Sequence, residues 1–180
     1  MNIPNLLTLA RVLLIPLLVI FLLEGKVNYA FWVFMVAGVT DALDGFLARA
    51  LKQKTDFGAF IDPIADKLLL ITSFVTLAAL DLLPNWITVL VVSRDVLILG
   101  GIGILTRYRR PVPIKPSLVS KVTTFLQLVT VVFQLGRGYL AGYLFLNEPI
   151  IYLTAFFTII SGVHYLVIGS RILGKPESAQ

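Results

Sequence analysis

Six apolar runs alternate with short polar connectors along the chain, near Leu6–Leu23, Tyr29–Ala50, Asp62–Leu80, Pro84–Leu105, Leu118–Leu135 and Pro149–Ile168. Each is close to the roughly 20 residues an α-helix needs to cross a hydrocarbon core about 30 Å thick. The runs are continuous rather than alternating, which is a helical pattern and not that of barrel strands. The connectors carry the expected breakers: Glu24-Gly25-Lys26, Leu83-Pro84-Asn85, and the tract from Arg109 to Pro116 with its three prolines. The pattern predicts an all-α, polytopic membrane protein with six transmembrane helices, forming a single domain over residues 1–180. No internal repeat of the inverted-transporter kind is visible.

Composition strengthens that picture. Of 180 residues, 58% are apolar and only 14% charged, and the mean hydropathy is +0.92. Both lie on the membrane side of ordinary globular usage. The chain has no cysteine, which excludes a disulfide scaffold and any thiolate or zinc-thiolate chemistry. The net charge of +5 matters less than its distribution. Lys52, Lys54, Arg107, Arg109, Arg110, Lys115, Arg171 and Lys175 fall on one side of six spans, against Lys26 and Arg137 on the other. The positive-inside rule therefore predicts that both termini face the cytoplasm. The first run is followed by no small-residue cleavage site before Glu24, so it reads as a span and not a signal peptide. The basic tract between runs four and five reads as a topology signal and lipid-headgroup contact, or as part of a substrate site. A nucleic-acid partner is not expected, because no soluble basic fold is present to carry it.

The chemistry lies in acids where apolar residues should be. Asp41 and Asp44 fall inside the second run, and Asp62 and Asp66 open the third, four acids inside or at the ends of spans between positions 41 and 66. A charge inside a spanning helix costs several kcal/mol, so these acids call for a purpose. At about 100° per residue, positions 41, 44, 45, 48 and 49 share an arc of about 140°. That face carries Asp41, Asp44, Gly45, Ala48 and Arg49: two acids, two small residues that let a ligand approach the backbone, and a base. Asp62 and Asp66 are i and i+4, again one face. Four converging carboxylates require a cation between them. With oxygen donors only, that cation is Mg²⁺ or Mn²⁺, suited to holding phosphates, with Arg49 available to phosphate oxygens. Plainer alternatives exist singly: Asp62-Pro63 as a helix start, and Asp44 with Arg49 as a local pair. They leave the shared face unexplained.

These residues also match a family pattern. Asp41-Ala-Leu-Asp44-Gly45-Phe-Leu-Ala48-Arg49, eight residues, then Gly58-Ala-Phe-Ile-Asp62-Pro-Ile-Ala-Asp66 resembles the signature D-x-x-D-G-x-x-A-R-x8-G-x3-D-x3-D of the CDP-alcohol phosphatidyltransferases, with no departure at a fixed position. The resemblance implies transfer of a phosphatidyl group from CDP-diacylglycerol to an alcohol with release of CMP, with two divalent ions polarising the phosphoryl oxygens. It implies Asp41, Asp44 and Asp62 as metal ligands, and Asp66 as general base and completing ligand. Gly45, Ala48, Arg49 and Gly58 would line the CDP site. It further implies a homodimer among membrane lipids; the topology read from the charges puts the active site on the cytoplasmic face (of the inner membrane in a bacterium).

The acceptor is read from the remaining motifs. Asn5, Thr8 and Arg11 recur at helical spacing and would reach the nucleotide or a phosphate; the alternative is an amphipathic entry with a snorkelling Arg11. The stretch Lys115-Pro116-Ser117-Leu-Val-Ser120-Lys121-Val-Thr123-Thr124, and Ser93-Arg94-Asp95, are similar to the cardiolipin-synthase branch of the family. The phosphatidylglycerophosphate-synthase branch usually carries a second lysine at the position of Thr123. The expected acceptor is therefore phosphatidylglycerol, with Lys121 and then Arg94 as acceptor-phosphate residues, and glycerol 3-phosphate as the alternative. A carboxylate-lined cation transporter is the non-enzyme alternative, but it gives no role to Gly45, Ala48 and Arg49.

Overall fold

The computed structural model describes residues 3–50, 56–107 and 117–173, with side chains over 9–41, 64–105, 107 and 117–172. Six α-helices run in chain order: α1 Ile3–Leu23, α2 Val27–Ala50, α3 Asp56–Ala79, α4 Asn85–Arg107, α5 Leu118–Leu135 and α6 Asn147–Leu173. A 3-10 turn, Ala141–Leu146, leads into α6, and no strand occurs among the described residues. Three segments are long and apolar enough to cross a membrane, Asn85–Leu105, Leu118–Leu135 and Ala141–Ile172, and Leu9–Leu23 forms a shorter apolar helix, all among the described residues. Large apolar side chains such as Val96, Leu99, Phe125, Phe156, Ile159 and Val163 point outward from these helices. Together these features mark an integral membrane protein. One expected boundary moves: α3 begins at Asp56, six residues ahead of Asp62. Asp62 therefore lies inside the helix, and capping does not explain it.

The chain divides into two compact units. The first comprises Met1–Pro84 and Val131–Asn147. In it α1 packs against both α2 and α3. Each of the three buries a stripe set by the 3.6-residue period. The stripes are Arg11, Leu18 and Leu22 on α1, Ala30, Phe34 and Ala37 on α2, and Leu70, Ser73 and Leu77 on α3. The alanines of α2 are small enough for close helix approach. The turn after α1 is a Schellman motif: Lys26 N–H donates to the Phe21 carbonyl at 2.8 Å and Gly25 N–H to Leu22 at 3.0 Å. Gly25 sits there at φ +70, where only glycine avoids a Cβ penalty. Beside it Lys26 pairs with Glu24 at 2.8 Å, and that hydrogen bond, then the opposite charge, raises the Lys26 pKa. The turn after α3 repeats the motif, with Leu82 N–H on Leu77 and Asp81 N–H on Ala78, and Asp81 at φ 54. Further along the same unit, Tyr139 lies 5.2 Å from the ring of Phe31 and accepts a hydrogen bond from Trp32 Nε1 at 3.2 Å. Arg137 donates to the Leu82 carbonyl at 3.0 Å.

The second unit comprises Asn85–Thr130 and Glu148–Gln180. Its inner faces are polar. Thr123, Gln127 and Thr130 on α5, and Thr154, Thr158 and Ser161 on α6, are all buried at helical spacing. Thr130 and Thr154 share a hydrogen bond of 2.8 Å, and Thr123 donates to the Phe157 carbonyl at 3.0 Å. Between apolar helices in lipid, such small polar side chains supply the contact that hydrophobicity cannot, because the tails outside are equally apolar.

Candidate active site

The buried stripes of the first unit each end in a charge. Asp41 continues the α2 stripe of Ala30, Phe34 and Ala37 at i+11, and Asp66 begins the α3 stripe of Leu70, Ser73 and Leu77 at i−11. Arg11 begins the α1 stripe. Arg11 precedes the end of α1 by 12 residues, about 18 Å of helix, and Asp41 follows the start of α2 by 14, about 21 Å. Two helices joined by a tight turn therefore bring these charges to one depth. The contacts agree: Arg11 Nη2 lies 3.0 Å from Asp41 Oδ1, and Arg11 Nη1 donates to Asp66 Oδ1 at 2.5 Å.

Burial is asymmetric across this trio. The Arg11 side chain is 0% exposed, whereas Asp41 and Asp66 keep 45% and 42% of theirs. The base is sealed behind the acids, and the acids open outward. Arg11 thus does not snorkel; it is a buried counter-ion, a role that residue-type reasoning missed. The sequence signal for it was its place at i−7 and i−11 from Leu18 and Leu22, as the one cation in an otherwise apolar helix.

The other expected site residues divide into two groups. Asp44, Gly45, Ala48 and Arg49 lie on α2, Gly58 and Asp62 on α3, and Asn5 and Thr8 on α1, but their side chains lie outside those described. The continuity of α2 through Ala50 keeps positions 41, 44, 45, 48 and 49 on one helix, and α3 holds 58, 62 and 66 likewise. Among the described residues, no group of three or more His, Asp or Glu forms a ready metal cluster. Asp41 and Asp66 alone supply two hard oxygen groups that already face a positive charge. That donor chemistry fits Mg²⁺ or Mn²⁺.

In the second unit, Arg94 is buried and heavily engaged. Its Nη1 donates to Asp95 at 2.6 Å, its Nη2 to Ser120 at 2.6 Å and to Ser161 at 2.7 Å, and it stands 6.0 Å from the centre of the Tyr165 ring. It ties α4 to the first turn of α5 and to α6. Lys121, next to Ser120, is exposed. His164 is exposed on α6, edge-on to Tyr165.

Comparison with known proteins agrees with the signature. The family model of the CDP-alcohol phosphatidyltransferases matches residues 1–160. A rat cardiolipin synthase (CMP-forming) is 38% identical, covering 75% of this chain and 50% of its own. CDP-diacylglycerol–glycerol-3-phosphate 3-phosphatidyltransferases of Bacillus subtilis and Rickettsia felis are 30% and 33% identical, each covering 91% of this chain and 93% of its own. The chain thus spans about half the length of the rat relative it matches.

Proposed function

The chain belongs to the CDP-alcohol phosphatidyltransferase family, and from that premise we propose that it transfers a phosphatidyl group from CDP-diacylglycerol to phosphatidylglycerol, releasing CMP. What carries this reading is the meeting of Asp41 and Asp66, the first and last acids of the signature, on one guanidinium. Asp41, Asp44, Asp62 and Asp66 would hold Mg²⁺ or Mn²⁺, two ions in all. The ions would supply polarisation of the phosphoryl oxygens and offset the charge of departing CMP. Gly45, Ala48, Arg49 and Gly58, with Asn5 and Thr8, bind the CDP portion. Asp66 takes the proton of the acceptor hydroxyl, whose oxygen bonds the phosphatidyl phosphorus as the phosphorus–oxygen bond to CMP breaks. The chain works as one domain and as a homodimer, with six spans and its active site on the cytoplasmic side.

The acceptor phosphate is held by Lys121, whose ammonium extends to headgroup depth from the first turn of α5. Arg94 takes a smaller share, because Asp95, Ser120 and Ser161 compete with any phosphate for its donors. A second reading, with glycerol 3-phosphate as acceptor, is favoured by the Bacillus and Rickettsia relatives, whose names carry that acceptor and which match over most of both chains. That acceptor arrives from water with nearly two charges and would draw on Arg107, Arg109, Arg110 and Lys115 as well.

The test offers each acceptor separately to purified protein with CDP-diacylglycerol and Mg²⁺ or Mn²⁺, and identifies the lipid product. Cardiolipin from phosphatidylglycerol is expected. Phosphatidylglycerophosphate without cardiolipin would exchange the acceptor and leave the transferase reading in place; no CMP with either acceptor would remove it. Lys121→Ala should raise the acceptor KM under both readings. Alanine at positions 107–115 should impair only the reaction with glycerol 3-phosphate.

A further inference from the structure

We infer that Arg11 is a resident cation of the Asp41–Asp66 site, filling the space between the two carboxylates until a divalent ion binds and then yielding them to it. This rests on the metal-dependent reading above and adds to it a positioning residue from α1, outside the signature.

The burial pattern comes first. Arg11 is the largest fully buried side chain described, and a guanidinium is kept out of water only where its charge is matched. Its match is two carboxylates on two different helices, at 3.0 Å and 2.5 Å. A planar fork with fixed donor directions can hold two such groups in one geometry, which a lysine ammonium cannot do equally well. Remove the fork and two acids would face one another with less to offset their repulsion.

The direction of exposure supplies the second half. Arg11 reaches the carboxylates from the sealed side, while both acids are more than 40% exposed on the other. An ion arriving from solvent meets the same two residues from the open face. Coordination would bring it about 2.1 Å from a carboxylate oxygen, close to a group already bound to that residue. A divalent ion and a guanidinium about 6 Å apart repel by about 1.4 kcal/mol even at the dielectric of water, about tenfold in affinity. Arg11 therefore holds the ion-free site together and, for the same reason, opposes the ion. Neutral replacements should separate the two effects by weakening the empty site and tightening the occupied one.

The experiment measures Mn²⁺ binding to the purified full chain in detergent, without substrate, from the electron paramagnetic resonance signal of free Mn²⁺. Arg11→Gln and Arg11→Met should bind about tenfold more tightly than the unmodified protein, with Arg11→Lys within about twofold of it. The thermal midpoint without divalent ions should fall in both neutral variants, and the deficit should shrink as Mn²⁺ saturates the site. If Arg11→Met does not fold, Arg11→Gln against Arg11→Lys carries the same comparison. Equal or weaker Mn²⁺ binding in the neutral variants overturns the inference while leaving the metal-dependent transferase standing. Failure of the unmodified protein to bind Mn²⁺ overturns both.

Discussion

Single charged residues define this protein because each stands at the end of a stripe that is otherwise apolar or small. Asp41 and Asp66 continue the buried stripes of α2 and α3 to a half-exposed end, and the buried charge of Arg11 is matched by pairing with both. Asp41→Asn keeps the shape and removes a negative charge from the proposed ion site. With Asp44→Asn and Asp62→Asn it should lower CMP release by at least about 100-fold while the protein still inserts. Substantial activity in all three purified variants, with divalent ions present, would remove the metal site. Asp66→Asn should behave differently. A general base contributes about 10² to 10⁴ to the rate, so this variant should retain CDP-diacylglycerol binding and lose turnover. Nucleotide binding lost as fully as in Asp41→Asn would make Asp66 principally a ligand. The acids themselves were legible in the sequence, since charge in an apolar run is conspicuous. Arg11 was not, because a lone cation in the first half of a span reads equally well as snorkelling, and only packing against two other helices distinguishes the two.

At the scale of elements, two glycines mark different demands. Gly25 has open space around its missing Cβ but a positive φ, so Gly25→Ala should cost about 1 to 2 kcal/mol through backbone strain alone. Gly136, where α5 ends, is the opposite case. A Cβ there would lie 2.7 Å from the Val132 carbonyl oxygen and 3.1 Å from the Phe31 ring, so Gly136→Ala should cost about 1 to 3 kcal/mol by crowding. Thermal unfolding in detergent checks both. A Phe31→Leu partner change should relieve part of the second and none of the first. Helix existence followed directly from the apolar runs, and most boundaries fell within a few residues. The start of α3 did not, because Asp62-Pro63 carries a strong local start signal that the longer helix from Asp56 overrides. The Thr and Ser stripes of α5 and α6 were equally hidden, since those runs are apolar enough overall to read as uniform spans.

For the molecule as a whole, six spans with cytoplasmic termini remain a proposal with a direct measurement. The chain has no native cysteine, so single replacements report cleanly. In sealed vesicles with the outer face out, an impermeant maleimide should label Lys26→Cys and not Lys175→Cys. The reverse pattern would invert the orientation, and labelling of both would break the even number of crossings. Each unit carries an aromatic pair of its own, Trp32 with Tyr139 in the first and Trp86 stacked on Tyr152 in the second. Trp and Tyr are the residue types that a membrane–water boundary favours.

The sequence by itself determined the helical class, the apolar character and the signature acids, because each is written in local composition and spacing. Hydropathy needs a window of about 20 residues, and the signature spans 26 positions, 41–66. Tertiary structure decided which charges meet. Arg11 and Asp66 are 55 residues apart, and nothing local selects that pair over Arg11 with a lipid headgroup or Asp66 with Lys67. The selection comes from α1 packing against α2 and α3 at once, which seals the guanidinium away from water and sets it against a carboxylate from each of those helices. Pairing across helices depends on register and depth, and those are properties of the packed bundle and not of any one segment.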